Sequence, residues 1–119
     1  MPFKKTDMKE ALFISYCQES ISDLESLKKE LLAESSAENR RDTVLEFTGG
    51  SAIYSVEIGV IVQFLKKLPD TERKLHLVVS SYVREMLTTM NIHKIPHLII
   101  HNSLEEAQER FPGVDFGAF

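Results

Sequence analysis

The chain has 119 residues, 43% of them hydrophobic, and a formal charge of -4 from 14 Lys/Arg and 18 Asp/Glu. That length predicts one domain spanning 1–119, with a core large enough to fold without disulfides or metals. The acidic balance excludes a nucleic-acid footprint, since the basic pairs Lys4-Lys5, Lys28-Lys29, Arg40-Arg41 and Lys66-Lys67 lie dispersed among acids, and a single cysteine, Cys17, excludes an internal disulfide.

A short strand is expected around Phe3–Asp7, followed by a strand over 11–17 in which Leu12, Ile14 and Tyr16 share one face. Ile21, Leu24, Leu27, Leu31 and Leu32 make one helical stripe, with Lys28 and Lys29 facing water and Ser22 and Glu25 in capping-box spacing. SSAENRRD reads as a loop and Val44–Phe47 as a short buried strand. The segment TGGSAIY is an irregular connection to an apolar helix beginning at Ser55 and closed by Pro69. Val56, Val60, Phe64 and Leu68 mark its expected buried stripe, and the run 58–62 implies that a second side is covered. LHLVV (75–79) is the next strand. Val83, Met86, Leu87 and Met90 then fall at helical spacing, with Asn91 at the helix end. Met86 and Met90 read as core, Tyr82 near the helix start as a packed residue or a contact residue with packing favoured, and Thr88-Thr89 as surface. Pro96 forces extended backbone before HLII, the last strand. Ser103 and Glu106 form a second capping box, opening a short helix that points Leu104, Ala107 and Phe111 inward. The tail, 112–119, is expected to be loosely held.

This alternation of strands and helices predicts an α/β domain with a mainly parallel sheet of four to five strands, about four helices and right-handed crossovers. MPFKKTDMKE lacks the apolar region of a signal peptide, and no apolar run has the length of a membrane span, so a soluble cytoplasmic protein is expected.

Gly49, Gly50 and Gly59 lack the lysine of a phosphate-binding loop, and Gly49–Ile53 begins like a nucleophile elbow without its final glycine. Neither Ser51, Ser55 nor Cys17 has a base placed beside it by recognisable spacing, so no enzyme activity is expected. Cys17 follows an apolar run and reads as a buried structural thiol. His97 and His101 bracket a strand and stand roughly 13 Å apart, too far to share one metal ion. His76 reads as a strand histidine with an ordinary partner, and His93 lies in a loop. No metal and no cofactor are assigned.

The stretch VLEFTGGSAIYSVEIGVIVQFL resembles the central strand, loop and helix of STAS domains, the family of anti-sigma factor antagonists. Val44–Phe47 is similar to the family's apolar strand with its acidic residue. Tyr54-Ser55-Val56-Glu57-Ile58-Gly59 falls without a gap on the family's Asp-Ser-Ser-Gly-Leu-Gly segment. The later order of strand, helix, strand and helix is also similar, so the resemblance covers most of the chain. It implies a non-catalytic regulator of transcription that acts by partner switching. The implied partners are an anti-sigma factor that is also a serine kinase, and a phosphatase, with Ser55 as phosphoacceptor. Ser51, Ile53, Tyr54, Val56 and Glu57 would form the partner-binding surface. No nucleic acid and no inserted membrane are implied, and the oligomeric state stays open. Three positions depart from the family pattern: Tyr54 replaces its aspartate, Val56 its second serine and Glu57 its first glycine. Ser55 is expected to cap its helix, where a phosphate would meet the positive dipole end but also Glu57. These departures motivate an alternative, a STAS scaffold subunit of a transport or sensory complex that is not phosphorylated.

Overall fold

The computed structural model describes residues 3–7, 11–16, 21–36, 41–47, 55–68 and 73–111. Their elements run β1 (Phe3–Asp7), β2 (Ala11–Tyr16), α1 (Ile21–Ser36), β3 (Asp42–Phe47), α2 (Ser55–Leu65), β4 (Leu75–Val78), α3 (Ser81–Thr89), a 3-10 turn (Ile92–Lys94), β5 (Leu98–His101) and α4 (Leu104–Gln108). One five-stranded sheet has the order β1-β2-β3-β4-β5. β1 pairs antiparallel with β2, and the remaining strands pair parallel. The mainly parallel α/β domain expected from the alternation is thus present, with the first strand included. Cys17 and the tail 112–119 lie outside the described residues.

The strand period of two divides the sheet into unlike faces. Leu12, Ile14 and Tyr16 of β2, Leu45 of β3 and Leu75 and Leu77 of β4 form one core with α1, α2 and α3. Ala11, Phe13, Val44 and Val78 point the other way and meet Ala107 and Phe111. Three helices therefore cover one face, and α4 covers part of the other.

α1 presents Leu27 and Leu31 to the core, as its stripe requires, but Leu32 at the stripe's edge is left exposed. In α2 the buried line is Ile58, Ile61, Phe64, Leu65 and Leu68, whereas Val56 is 53% exposed and Val60 half-buried. The expected stripe was rotated at its start because a run of apolar residues carries no polar side to mark the outer face. Leu87 and Val83 anchor α3, and Met86 packs against the core from its margin. Met90 was expected inside and is exposed, and Tyr82, left open between packing and contact, is exposed as well. Thr88 and Thr89 are surface residues whose hydroxyls donate back to the carbonyls of Arg84 and Glu85 at 2.9 and 3.0 Å. Asn91 ends α3 in the left-handed region, φ 61°. His97 also has positive φ, 73°, so it precedes β5 as a turn residue rather than opening the strand.

A polar clamp fixes the ends of the parallel strands at which the chain enters them. Glu34, 5% exposed near the end of α1, accepts two hydrogen bonds from Arg41 at 2.8 and 3.0 Å. Arg73 approaches the same carboxylate at 3.7 Å and donates to the main-chain oxygens of Glu34 and Arg41 at 2.8 and 3.1 Å. Arg41 precedes β3 and Arg73 precedes β4, so one carboxylate ties α1 to the starts of two strands. Removing one partner of such a network leaves buried charge uncompensated.

Two stability outcomes follow from this packing. Glu34→Ala should cost about 3–5 kcal/mol, seen as a lower urea midpoint. Thr43, 1% exposed, has a hydroxyl with no hydrogen-bond partner among the described residues. Thr43→Val should raise stability by about 1 kcal/mol in the same assay, because it removes an unsatisfied buried group at nearly constant volume.

Candidate functional site

The four parallel strands point the same way, so the helices that follow β3 and β4 both begin at the edge where those strands end. Ser55 is the first residue of α2. Its expected capping role belongs to the position before a helix, and residue 54 lies outside the described residues, as do Ser51 and Ile53. The backbone nonetheless places Ser55 at the amino end of α2, where the first N–H groups lack intrahelical acceptors. α3 begins alongside with Ser80 as its N-cap, the Ser80 hydroxyl accepting from the Val83 N–H at 3.3 Å.

The two described partner-surface candidates differ sharply. Val56 is 53% exposed at the start of α2, an apolar side chain turned to solvent. Glu57, the next residue, is 2% exposed. Of these two candidates, Val56 is thus open to solvent and Glu57 is enclosed by the domain. Tyr82, 66% exposed in the first turn of α3, adds an aromatic ring at the same edge. Sequence alone left Tyr82 open between packing and contact, because it neighbours the buried Val83 and so sits beside an apolar stripe.

Gly59 lies one turn after Val56 and is exposed. A methyl group added there would meet nothing within 4 Å. The missing side chain is therefore not required by packing within this domain, although glycine in a helix interior costs about 1 kcal/mol. Val56 and Gly59, three apart, share a helix face, and the result is a flat strip of backbone beside an apolar knob.

Behind the edge, Glu46 near the end of β3 accepts from the Ser15 hydroxyl at 3.4 Å. Burial raises its carboxyl pKa, and the Ser15 hydrogen bond opposes the rise. Among the described residues no group of His, Cys, Asp and Glu side chains could hold a metal ion. Nor is any described helix long and apolar enough to cross a membrane.

No family model matches the chain, and no curated protein matches it in sequence. Solved structures do match it in shape. An anti-sigma-factor antagonist (STAS) domain protein from Planctomyces limnophilus aligns with a TM-score of 0.72 at 18% identity, over 91% of this chain and 96% of that one. The fold is that of a STAS domain. A second structure, the protein TM1081, aligns with a TM-score of 0.69 at 23% identity, covering 90% of this chain and 86% of its own. The STAS fold accounts for the mixed sheet and the order of its elements, which the resemblance around Ser55 had implied.

Gly59→Ala should stabilise the isolated domain by about 1 kcal/mol, measured by urea unfolding, since it improves helix propensity without a clash.

Proposed function

We propose that this STAS domain is a non-catalytic, protein-binding regulator that pairs with an anti-sigma factor of the serine-kinase type. The observation that carries the reading is the strip formed by exposed Val56 and open Gly59 at the start of α2, immediately beside Ser55. A glycine that costs helix stability without serving internal packing suits a place where a second chain's backbone comes close. The likeness to an anti-sigma-factor antagonist domain supports the partner class. Ser51, Ile53 and Tyr54 would extend this surface along the preceding loop, and Glu57 would hold the helix start from beneath.

Ser55 is the proposed phosphoacceptor. A phosphate there would add about -1.5 to -2 charges at a contact surface centred on Val56. The partner would then have to desolvate that charge, and binding would stop without refolding. A phosphatase would restore it. The domain would act in the cytoplasm, as a partner switch in transcription.

A second reading is favoured by Glu57. A carboxylate 2% exposed within the first turn already occupies the positive end of α2 and opposes a second anion there. In that reading the domain is a scaffold subunit, constitutively bound and not phosphorylated.

The test mixes the purified domain with the serine-kinase anti-sigma factor of the same genome and ATP. The expected results are a stable complex and a single phosphate on Ser55 by mass spectrometry, lost in Ser55→Ala. Val56→Asp and Gly59→Leu should each weaken the complex about tenfold or more while the domain stays folded, as expected of a central contact. Absence of both complex and phosphate would sink the switch. A complex indifferent to Ser55→Ala and Ser55→Asp would establish the scaffold instead.

A further inference from the structure

The face of the sheet opposite α1–α3 is covered, among the described residues, by α4 and Phe111. Beneath that cover runs a chain of four polar side chains drawn from four elements. Asp42 Oδ2 of β3 lies 2.9 Å from His76 Nε2 of β4. His76 Nδ1 lies 3.1 Å from His101 Nε2 of β5. His101 Nδ1 faces Glu106 Oε1 of α4 at 3.7 Å. The two imidazoles are stacked, with centroids 5.3 Å apart and planes 12° apart. The Phe111 ring meets His76 edge-on at 5.1 Å. Both histidines are buried, at 2% and 4% exposure.

The positions of the protons follow from the partners. An ionised carboxylate only accepts, so His76 Nε2 carries a proton and donates it to Asp42. A neutral ring holds one proton, which leaves His76 Nδ1 as an acceptor. His101 Nε2 must then carry the proton between the rings, and His101 Nδ1 is left bare towards Glu106. One added proton fits on His101 Nδ1, where it points at Glu106 and leaves the ring-to-ring bond intact. A second would have to sit on His76 Nδ1. Two N–H groups would then oppose each other across 3.1 Å inside the fold.

The closed pair thus accommodates at most one extra proton, whereas two freed imidazoles take up two, each near pH 6.5. Burial lowers the pKa of His101, the neighbouring His76 lowers it further, and Arg110 of the chain after α4 acts in the same direction. Glu106 opposes these effects. At pH values below about 6.5 the open form therefore binds more protons than the closed form, and acid favours opening.

We propose that the Asp42–His76–His101–Glu106 chain is a proton-operated latch that holds α4 on the second face of the sheet at neutral pH and releases it in mild acid. The cover it lifts is small, since α4 has five residues and contributes Leu104 and Ala107, with Phe111 following. Its release bares Phe13, Val44 and Val78 while α1–α3 keep the larger core closed.

Amide hydrogen exchange on the full chain, followed between about pH 7.5 and 5.5, tests the latch. After correction for intrinsic exchange, protection of the amides in residues 104–111 should fall up to about tenfold per pH unit and per proton of difference. Protection in α1 and α2 should stay level. Loss in all helices together would mean global acid unfolding and would overturn the proposal, as would pH-independent protection of α4. The double variant His76→Gln/His101→Gln keeps amide donors and acceptors in place of both rings but can take up no proton at either position, so its α4 protection should not respond to pH over this range. The same acid loss in that variant refutes the latch. Should the variant not fold, the ring signals of the wild-type histidines decide. Titration of His76 and His101 in step with the α4 amides, apart from exposed His93, is the expected result, and titration without any α4 response is the refuting one.

Discussion

Everything in this domain depends on three helices sharing one face of the sheet. Each parallel connection must return the chain to the strands' starting end, and right-handed crossovers deliver α1, α2 and α3 to the same side. Their apolar residues meet Leu12, Ile14, Leu45, Leu75 and Leu77, all fully buried or nearly so. Because the strands run in one direction, this packing gathers the amino ends of α2 and α3 at a single edge. Ser55, Val56 and Tyr82 lie at the same edge for that reason, although 27 positions separate Ser55 from Tyr82 in the chain.

The opposite edge is built differently. There the Glu34 carboxylate and the Arg41 and Arg73 guanidiniums lock α1 to the entries of β3 and β4. Buried ion pairs offset their desolvation only when their geometry is good and their remaining groups are hydrogen-bonded, and the guanidinium of Arg73 also engages two main-chain oxygens. One edge is thereby held by charge and hydrogen bonds, which leaves the other available for a surface of apolar and aromatic side chains. The buried ion network lies at one edge of the sheet, and the other edge presents Val56, open Gly59 and Tyr82.

Covering one face with three helices leaves the other thinly protected. α4 is too short to bury that face by apolar contact alone, and a hydrogen-bonded histidine pair takes up part of the space. Such a pair keeps its ring-to-ring hydrogen bond in only some of its protonation states, unlike leucine or valine, and the proposed latch rests on that difference between the two faces.

The sequence by itself determined a great deal here. Alternating apolar strands and amphipathic helices specified the α/β class, and the capping box at Ser103 appears in the structure, with the Ser103 hydroxyl accepting from the Glu106 N–H at 3.2 Å. The Glu106 side chain reaches back to the Asn102 N–H at 3.3 Å. The position of Ser55 at the start of α2 was legible from the ungapped match to a family pattern. Local periodicity is enough for these features because each depends on residues within a turn or two. Orientation within α2 was not legible, since an apolar run has no polar side to mark the exposed one, and only packing in the core shared with α1 and the sheet left Val56 exposed and Glu57 buried. His76 and His101 showed no relation in sequence, being 25 residues apart. Parallel pairing of β4 with β5 sets Val78 opposite His101 and His76 opposite Ile99, so the two rings meet on the diagonal of one face. Tertiary structure alone decided that contact, because strand register is a long-range choice made by the whole core.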